Sequence, residues 1–182
     1  MTPLDRLLQR FRERVALPHI PEGSRVLDVG CADGHLFRSA GTRIRDGVGI
    51  DPDVPDGRRP SEPRYRVVRG AFPDDLEDPG PFDVITMLAV FEHFSETDRP
   101  RVIDACRRLL RTGGRVVITV PAPAVDRIVD VLRTLHLSHG IDIEAHHGYR
   151  PEDTPRHFAG FRALVHESFE LGLNHLYVLE RI

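Results

Sequence analysis

Lysine is missing from this chain: all 25 positions in the Lys+Arg class are arginine. That absence excludes Schiff-base catalysis, a pyridoxal-phosphate anchor, a Walker lysine and a kinase-type lysine. Cysteine is scarce. Cys31 and Cys106 make no disulfide framework, and so few thiols fit a reducing, cytoplasmic setting. No run of ~18 apolar residues occurs, which removes a membrane-spanning helix. The opening MTPLDRLLQRFRER is charged and amphipathic and has no apolar stretch of the kind a secretion signal needs. Excess basic charge is also absent. A net charge of −3 argues against a protein whose main task is to hold nucleic-acid phosphates. What is present is ordinary globular material, 40% hydrophobic and 29% charged. At about 100–200 residues per domain, the 182 residues make one domain.

The pattern along the chain predicts an α/β fold. Leu4, Leu7, Leu8, Phe11 and Val15 recur at helical spacing, so an amphipathic helix is expected over 4–17, ended by Pro18 and Pro21. Short apolar runs rich in β-branched residues follow at 25–29, 47–50, 66–68, 82–87 and 115–120. Such runs read as buried strands of a parallel sheet. Helical patterns open at 34–39 and run over 98–110, the second with Val102, Ile103, Cys106, Leu109 and Leu110 on one face and Gly113-Gly114 as its cap. Strand and helix in alternation mean a doubly wound, Rossmann-like, mostly parallel sheet. Residues 51–64 carry four prolines and break the alternation, so a loop is expected there in place of a crossover helix. A helix is expected over 125–135. Two final strands, 163–171 and 175–179, joined through Gly172-Leu173-Asn174, read as an antiparallel hairpin.

The segment VLDVGCADG, residues 26–34, carries the most chemistry. A buried strand runs into a turn of small residues and straight into a helix. That geometry brings a ligand close to the backbone while helix N–H groups point at it. By itself it serves a dinucleotide, a mononucleotide or an adenosyl cofactor alike. Asp51 follows a second apolar segment about 20 residues on, where a carboxylate accepts hydrogen bonds from both hydroxyls of a ribose. Asp33 lies inside the turn, and a carboxylate there would repel a pyrophosphate. A cofactor bearing a sulfonium and an ammonium tolerates it better.

Taken together, VLDVGCADG, GVGIDPD, FDVITMLAVFEHFSE and LLRTGGRVVITVP resemble, in order and spacing, four motifs of the class I S-adenosylmethionine-dependent methyltransferases. The tail FELGLNHLYVLE resembles the closing hairpin of small members. The resemblance implies that Asp28, Gly30, Cys31, Ala32 and Gly34 line the methionine and ribose end of S-adenosylmethionine, and that Asp51 holds the ribose with Pro52 against the adenine. It implies that the backbone near Leu88 meets the methionine ammonium. Family members often place an aspartate after the third strand for the adenine amino group. This chain has Ala71 there, so adenine contacts fall to Ala71 backbone and Phe72. S-adenosylhomocysteine is the implied product. The implied layout is a terminal helix to residue 20, a cofactor core over 21–121, an acceptor-site insertion over 122–162 and a hairpin over 163–182.

Transfer of an activated methyl needs positioning and desolvation, and a base only where the acceptor must lose a proton. Histidine suits that role. Three are candidates: His93, just past the fourth strand, and His146 and His147, in the segment after the fifth. His157 is a weaker one, and Tyr149 and Arg150 are placed to orient a polar acceptor. No metal is expected. Some ubiquinone-type O-methyltransferases bind one through Glu-x-x-Glu-His, but Ala89 stands where the first glutamate belongs, leaving Glu92 and His93 alone. The expected reaction is methylation of an oxygen of a small molecule, a sugar-containing or specialised metabolite, with neither nucleic acid nor membrane as partner. A homodimer stays open. The rival readings are an N-methyltransferase and a silent cofactor-binding partner domain.

Overall fold

A computed structural model describes residues 3–54, 64–122 and 149–182. Its centre is a seven-stranded sheet in the order β3-β2-β1-β4-β5-β7-β6. The strands are β1 (Ser24–Val29), β2 (Ile44–Asp51), β3 (Tyr65–Arg69), β4 (Phe82–Leu88), β5 (Leu110–Pro121), β6 (Phe161–Phe169) and β7 (Asn174–Arg181). The first five pair in parallel, while β7 runs antiparallel to β5 and β6 antiparallel to β7. The doubly wound sheet with a terminal antiparallel pair is therefore present as expected. Among the described residues the α-helices are α1 (Pro3–Ala16), α2 (His35–Ala40), α3 (Arg99–Leu109) and α4 (Thr154–His157).

Parallel strands covered on both faces explain why the sequence showed unbroken apolar runs rather than alternation. On one face Leu27, Val29, Ile85, Met87, Ile118 and Tyr177 pack against Val102 and Cys106 of α3. On the other Val26, Val84, Val117 and Val178 pack against Ala16 of α1 and Leu36 and Phe37 of α2. At the amino ends of the strands, Arg25 bonds Asp46 and Asp78, Arg66 bonds Asp78, and Arg111 bonds Asp83. Several of the arginines are thus structural.

Three expectations need correction. Helix α1 forms, but part of its apolar stripe faces solvent: Leu7 and Phe11 are 51% and 41% exposed and Leu8 and Val15 half-buried, whereas Glu13 and Ala16 are buried. Gly113-Gly114 does not cap α3. The helix stops at Leu109, and the glycines lie inside β5, where the pairing with β4 shifts register between Phe82 and Val84. Gly113 has φ +73, which suits the bulge. The closing hairpin turns through Glu170–Gly172, two residues earlier than the linker read from sequence. Among the described residues strand β6 pairs with β7 alone and is exposed along much of its length. The helix expected over 125–135 lies outside the described residues, as does most of the loop over 51–64.

Candidate active site

The site is built at the carboxyl ends of β1, β2 and β4. The chain leaves β1 at Gly30, whose φ of +73 belongs to glycine, and returns to right-handed backbone past Ala32 (φ +46) and Gly34 (φ +74). The Gly30 amide donates to the Ile50 carbonyl at 2.8 Å, tying the turn to β2. Asp51 closes the connection from the other side. Its Oδ2 accepts the Ala32 amide at 2.9 Å and its Oδ1 accepts the Asp53 amide at 2.8 Å. Each oxygen keeps a further lone pair for a ligand hydroxyl.

These elements surround a cavity of about 290 Å³. Of the residues singled out from sequence, Gly30, Asp51, Pro52, Ala71, Phe72 and His93 line it. His93 arrives there on the short helical turn Phe91–His93 that follows β4. Asp28, Cys31, Ala32, Gly34 and Leu88 do not line it. Cys31 points into the core, where a Cβ on Gly49 would stand 2.6 Å from its Sγ. Burial pushes its thiol far above the ordinary range. Any contribution of Cys31 to a ligand therefore comes from backbone. Leu88 packs partly buried against the α1–α2 side of the core.

Asp28 is 4% exposed and accepts a 2.6 Å bond from Thr86 Oγ1 of β4. Burial pushes its carboxyl up to about 7 against the opposing bond from Thr86, and the charges of Glu13 and Asp51 add to the push. A buried carboxyl at the mouth of a glycine turn suits a cationic ligand, which would repay its desolvation.

Sequence reasoning missed several neighbours. Val90 touches Gly30 so closely that a Cβ there would lie 2.3 Å from Val90 Cγ2. Its position next to Ala89, at φ +57, sits inside a motif already singled out, but the contact spans sixty residues. Asp75 places a carboxylate 2.8 Å from the Ala71 amide, close to where the side chain at 71 lacks one. Glu13, from α1, bonds His35 and Ser39.

On the far side of the turn after β4, the Phe91 ring meets Phe158, Tyr149 and His157 at 5.2, 5.6 and 6.1 Å between centroids. Tyr149 is not free to orient an acceptor. It is buried, its hydroxyl lies 2.5 Å from Thr154 Oγ1, and the Arg99 guanidinium lies 4.6 Å over its ring. Burial holds the His157 imidazole below its ordinary range, with Arg99 adding to the effect and Asp153 and Glu96 opposing it. Arg150 is exposed. His146 and His147 lie outside the described residues, as do His136 and His139. Among the described residues no group of three potential ligands is placed to hold a metal.

A model described as a methyltransferase domain matches residues 3–162. The chain belongs to that family. Among curated relatives, the ubiquinone biosynthesis O-methyltransferase of Pseudomonas aeruginosa is 33% identical over 108 residues, 53% of this chain and 44% of that protein. The match thus spans less than half of the relative's length. Among solved structures, a 1,6-didemethyltoxoflavin-N1-methyltransferase of Burkholderia thailandensis, with bound 1,6-didemethyltoxoflavin and S-adenosylhomocysteine, aligns with a TM-score of 0.68 at 16% identity. It covers 96% of this chain and 78% of that one. The N-methyltransferase NodS of Bradyrhizobium japonicum aligns at 0.65 and 16% identity over 99% and 97%. At such identities these two show the fold.

S-adenosylmethionine is the cofactor that the sequence motifs imply, and the residues present fit that group. A Cβ at Gly30 would strike Val90, so glycine there lets the two turns that edge the cavity close on each other. Two carboxylates, Asp28 and Asp51, flank the turn. When bound, the cofactor supplies a methyl on a sulfonium centre, already activated for displacement. Among the described residues no helix is long and apolar enough to cross a membrane.

Proposed function

We propose that this methyltransferase modifies an oxygen of a small acceptor, a sugar-containing or specialised metabolite. The observation that carries the reading is the position of His93 on the wall of the cavity that Gly30 and Asp51 share. A nitrogen base there is placed to take a hydroxyl proton as the oxygen attacks. Asp51 holds the ribose, Phe72 and Pro52 bound the adenine, and Asp28 offsets the cationic end. Val90 and Phe94 exclude water beside His93. Residues 122–162, with His146 and His147, supply the acceptor side and the competing candidates for base. The curated relatives are named as O-methyltransferases, and the chain lacks the Asn/Asp-Pro-Pro-Tyr signature of nucleobase and amide N-methyltransferases after β4. In this reading the acceptor is no nucleic acid, since a net charge of −3 gives no field to hold one. The free, buried Cys31 and Cys106 fit a reducing cytoplasm.

The test is transfer of labelled methyl from S-adenosylmethionine to matched panels of phenols, sugar hydroxyls and amines, with the product bond located by mass spectrometry. Label on oxygen supports the reading. Label confined to amines overturns it.

A further inference from the structure

Two histidines face each other on the closing hairpin. His166 of β6 stands opposite Tyr177 of β7, and His175 of β7 stands opposite Ser168 of β6. The two histidines are therefore diagonal neighbours, an offset that long side chains can span. His166 Nε2 lies 3.2 Å from His175 Nδ1, and the ring centroids are 5.4 Å apart. The Tyr177 ring stacks on His166 at 4.2 Å and supports that imidazole from one side. His166 is exposed and His175 half-buried, so the pair is open to water.

One ring N–H donating to the bare nitrogen of the other ring accounts for the contact. The same separation suits a metal ion. Imidazole nitrogens bind zinc at about 2.0–2.1 Å, so two of them on one tetrahedral ion stand about 3.3–3.4 Å apart. A small rotation of the exposed His166 ring is enough to put an ion where the shared proton lies. A metal needs both rings neutral. Burial holds the His175 imidazole below its ordinary range, with His166 adding to the effect and Glu152 opposing it. Imidazole selects zinc, copper or nickel over magnesium or calcium, which take oxygen ligands. Among the described residues no third ligand joins the pair, which leaves the other coordination positions to water.

We propose that His166 and His175 form a two-imidazole site for a divalent transition-metal ion such as zinc, and that the ion staples the edge strand β6 to β7. Neither histidine lines the cavity of Gly30 and Asp51. The staple lies near the end of β5, where His175 pairs with Val120. The Ala122 amide donates to the Leu173 carbonyl at 2.8 Å and so binds the hairpin turn to the same point. An ion on the pair stiffens the hairpin where β5 ends.

The experiment is calorimetric titration of the untagged full chain with zinc chloride, in a non-coordinating buffer above the histidine range, for wild type, His166→Ala and His175→Ala. Wild type should bind one ion that both variants lose or hold about tenfold or more weakly. Zinc taken up elsewhere in the chain appears equally in all three proteins, so only the difference counts. Hydrogen exchange reads the staple itself: zinc should slow exchange in β6 of wild type and leave it unchanged in both variants. His166 is exposed, so His166→Ala should melt with wild type and decides alone if His175→Ala fails to fold. Wild type that takes up no more zinc than His166→Ala overturns the proposal. So does zinc-loaded wild type whose β6 exchanges at the metal-free rate.

Discussion

Gly30 and Val90 meet across sixty residues of sequence with no room for a methyl group: a Cβ on Gly30 would stand 2.3 Å from Val90 Cγ2. The contact locks the glycine turn after β1 onto the turn after β4, the two edges of the cavity. Gly30→Ala should fail twice, through this overlap and through the +73 backbone angle, which costs an alanine ~1 kcal/mol. The variant should melt several degrees lower and bind S-adenosylhomocysteine weakly. Adding Val90→Ala should recover part of the melting temperature, because it relieves the overlap but not the backbone angle. A single variant that melts and binds like wild type contradicts the contact.

Asp51 carries two backbone bonds, from Ala32 and Asp53, before any ligand arrives. Asp51→Ala should therefore cost stability as well as affinity. At about 1.5–3 kcal/mol for a hydrogen bond to a charged group, S-adenosylhomocysteine binding should weaken tenfold or more. Asp51→Asn should retain more stability, since it keeps one acceptor oxygen. Calorimetry gives the affinity and thermal melts the stability; an unchanged dissociation constant in Asp51→Ala removes the ribose role.

Asp28 makes the free protein pH-sensitive. Its carboxyl stands at about 7 in the fold, well above its ordinary 3.8. The folded state therefore binds this proton more tightly than the unfolded state does. Stability should be fullest near pH 4 as far as Asp28 is concerned, should fall by up to ~1.4 kcal/mol per pH unit as pH rises toward 7, and should level off above. Asp28→Asn removes that slope. Melting curves should show the variant more stable than wild type at pH 8, close to it at pH 4.5, and impaired in cofactor binding throughout. Identical slopes in the two proteins would falsify the assignment.

His93 shares the cavity wall with the cofactor residues, so His93→Ala should slow single-turnover transfer by ~10²–10⁴-fold while the S-adenosylhomocysteine affinity stays within about twofold. The wild-type rate should rise with pH through the histidine range, because only neutral imidazole accepts a proton. His146→Ala and His147→Ala are the comparison. If either of them, and not His93→Ala, abolishes the rise, the base lies in the segment after β5.

The strands and the turn were legible because each signal is local. Runs such as Arg25–Val29 are apolar on both sides because both sides are covered, and a turn that needs a left-handed residue announces itself with glycine. Contacts between distant segments left no such mark. Nothing near Gly30 names Val90, and nothing in α1 names Ser39. Helical periodicity found α1 but weighs Leu7 and Phe11 as buried, and has no way to value a glutamate that finds two donors elsewhere. Gly113-Gly114 misled for a related reason. A glycine pair after a helix reads as a cap, and only the pairing of β5 with β4 shows that it serves a bulge. Tyr149 read as an exposed handle because its partners, Arg99 and Thr154, lie on other elements.

The sheet is also graded in how firmly it is held. β1 lies between β2 and β4, with core packed against both faces, so its amide protons reach water only when the whole molecule opens. Among the described residues β6 hangs on β7 alone, with solvent along much of its length. Hydrogen exchange there needs only the release of one edge, and β6 is the first strand to take up deuterium while β1 and β4 remain protected. The edge remote from the cofactor turn can thus fray while the end that holds Asp28 stays closed.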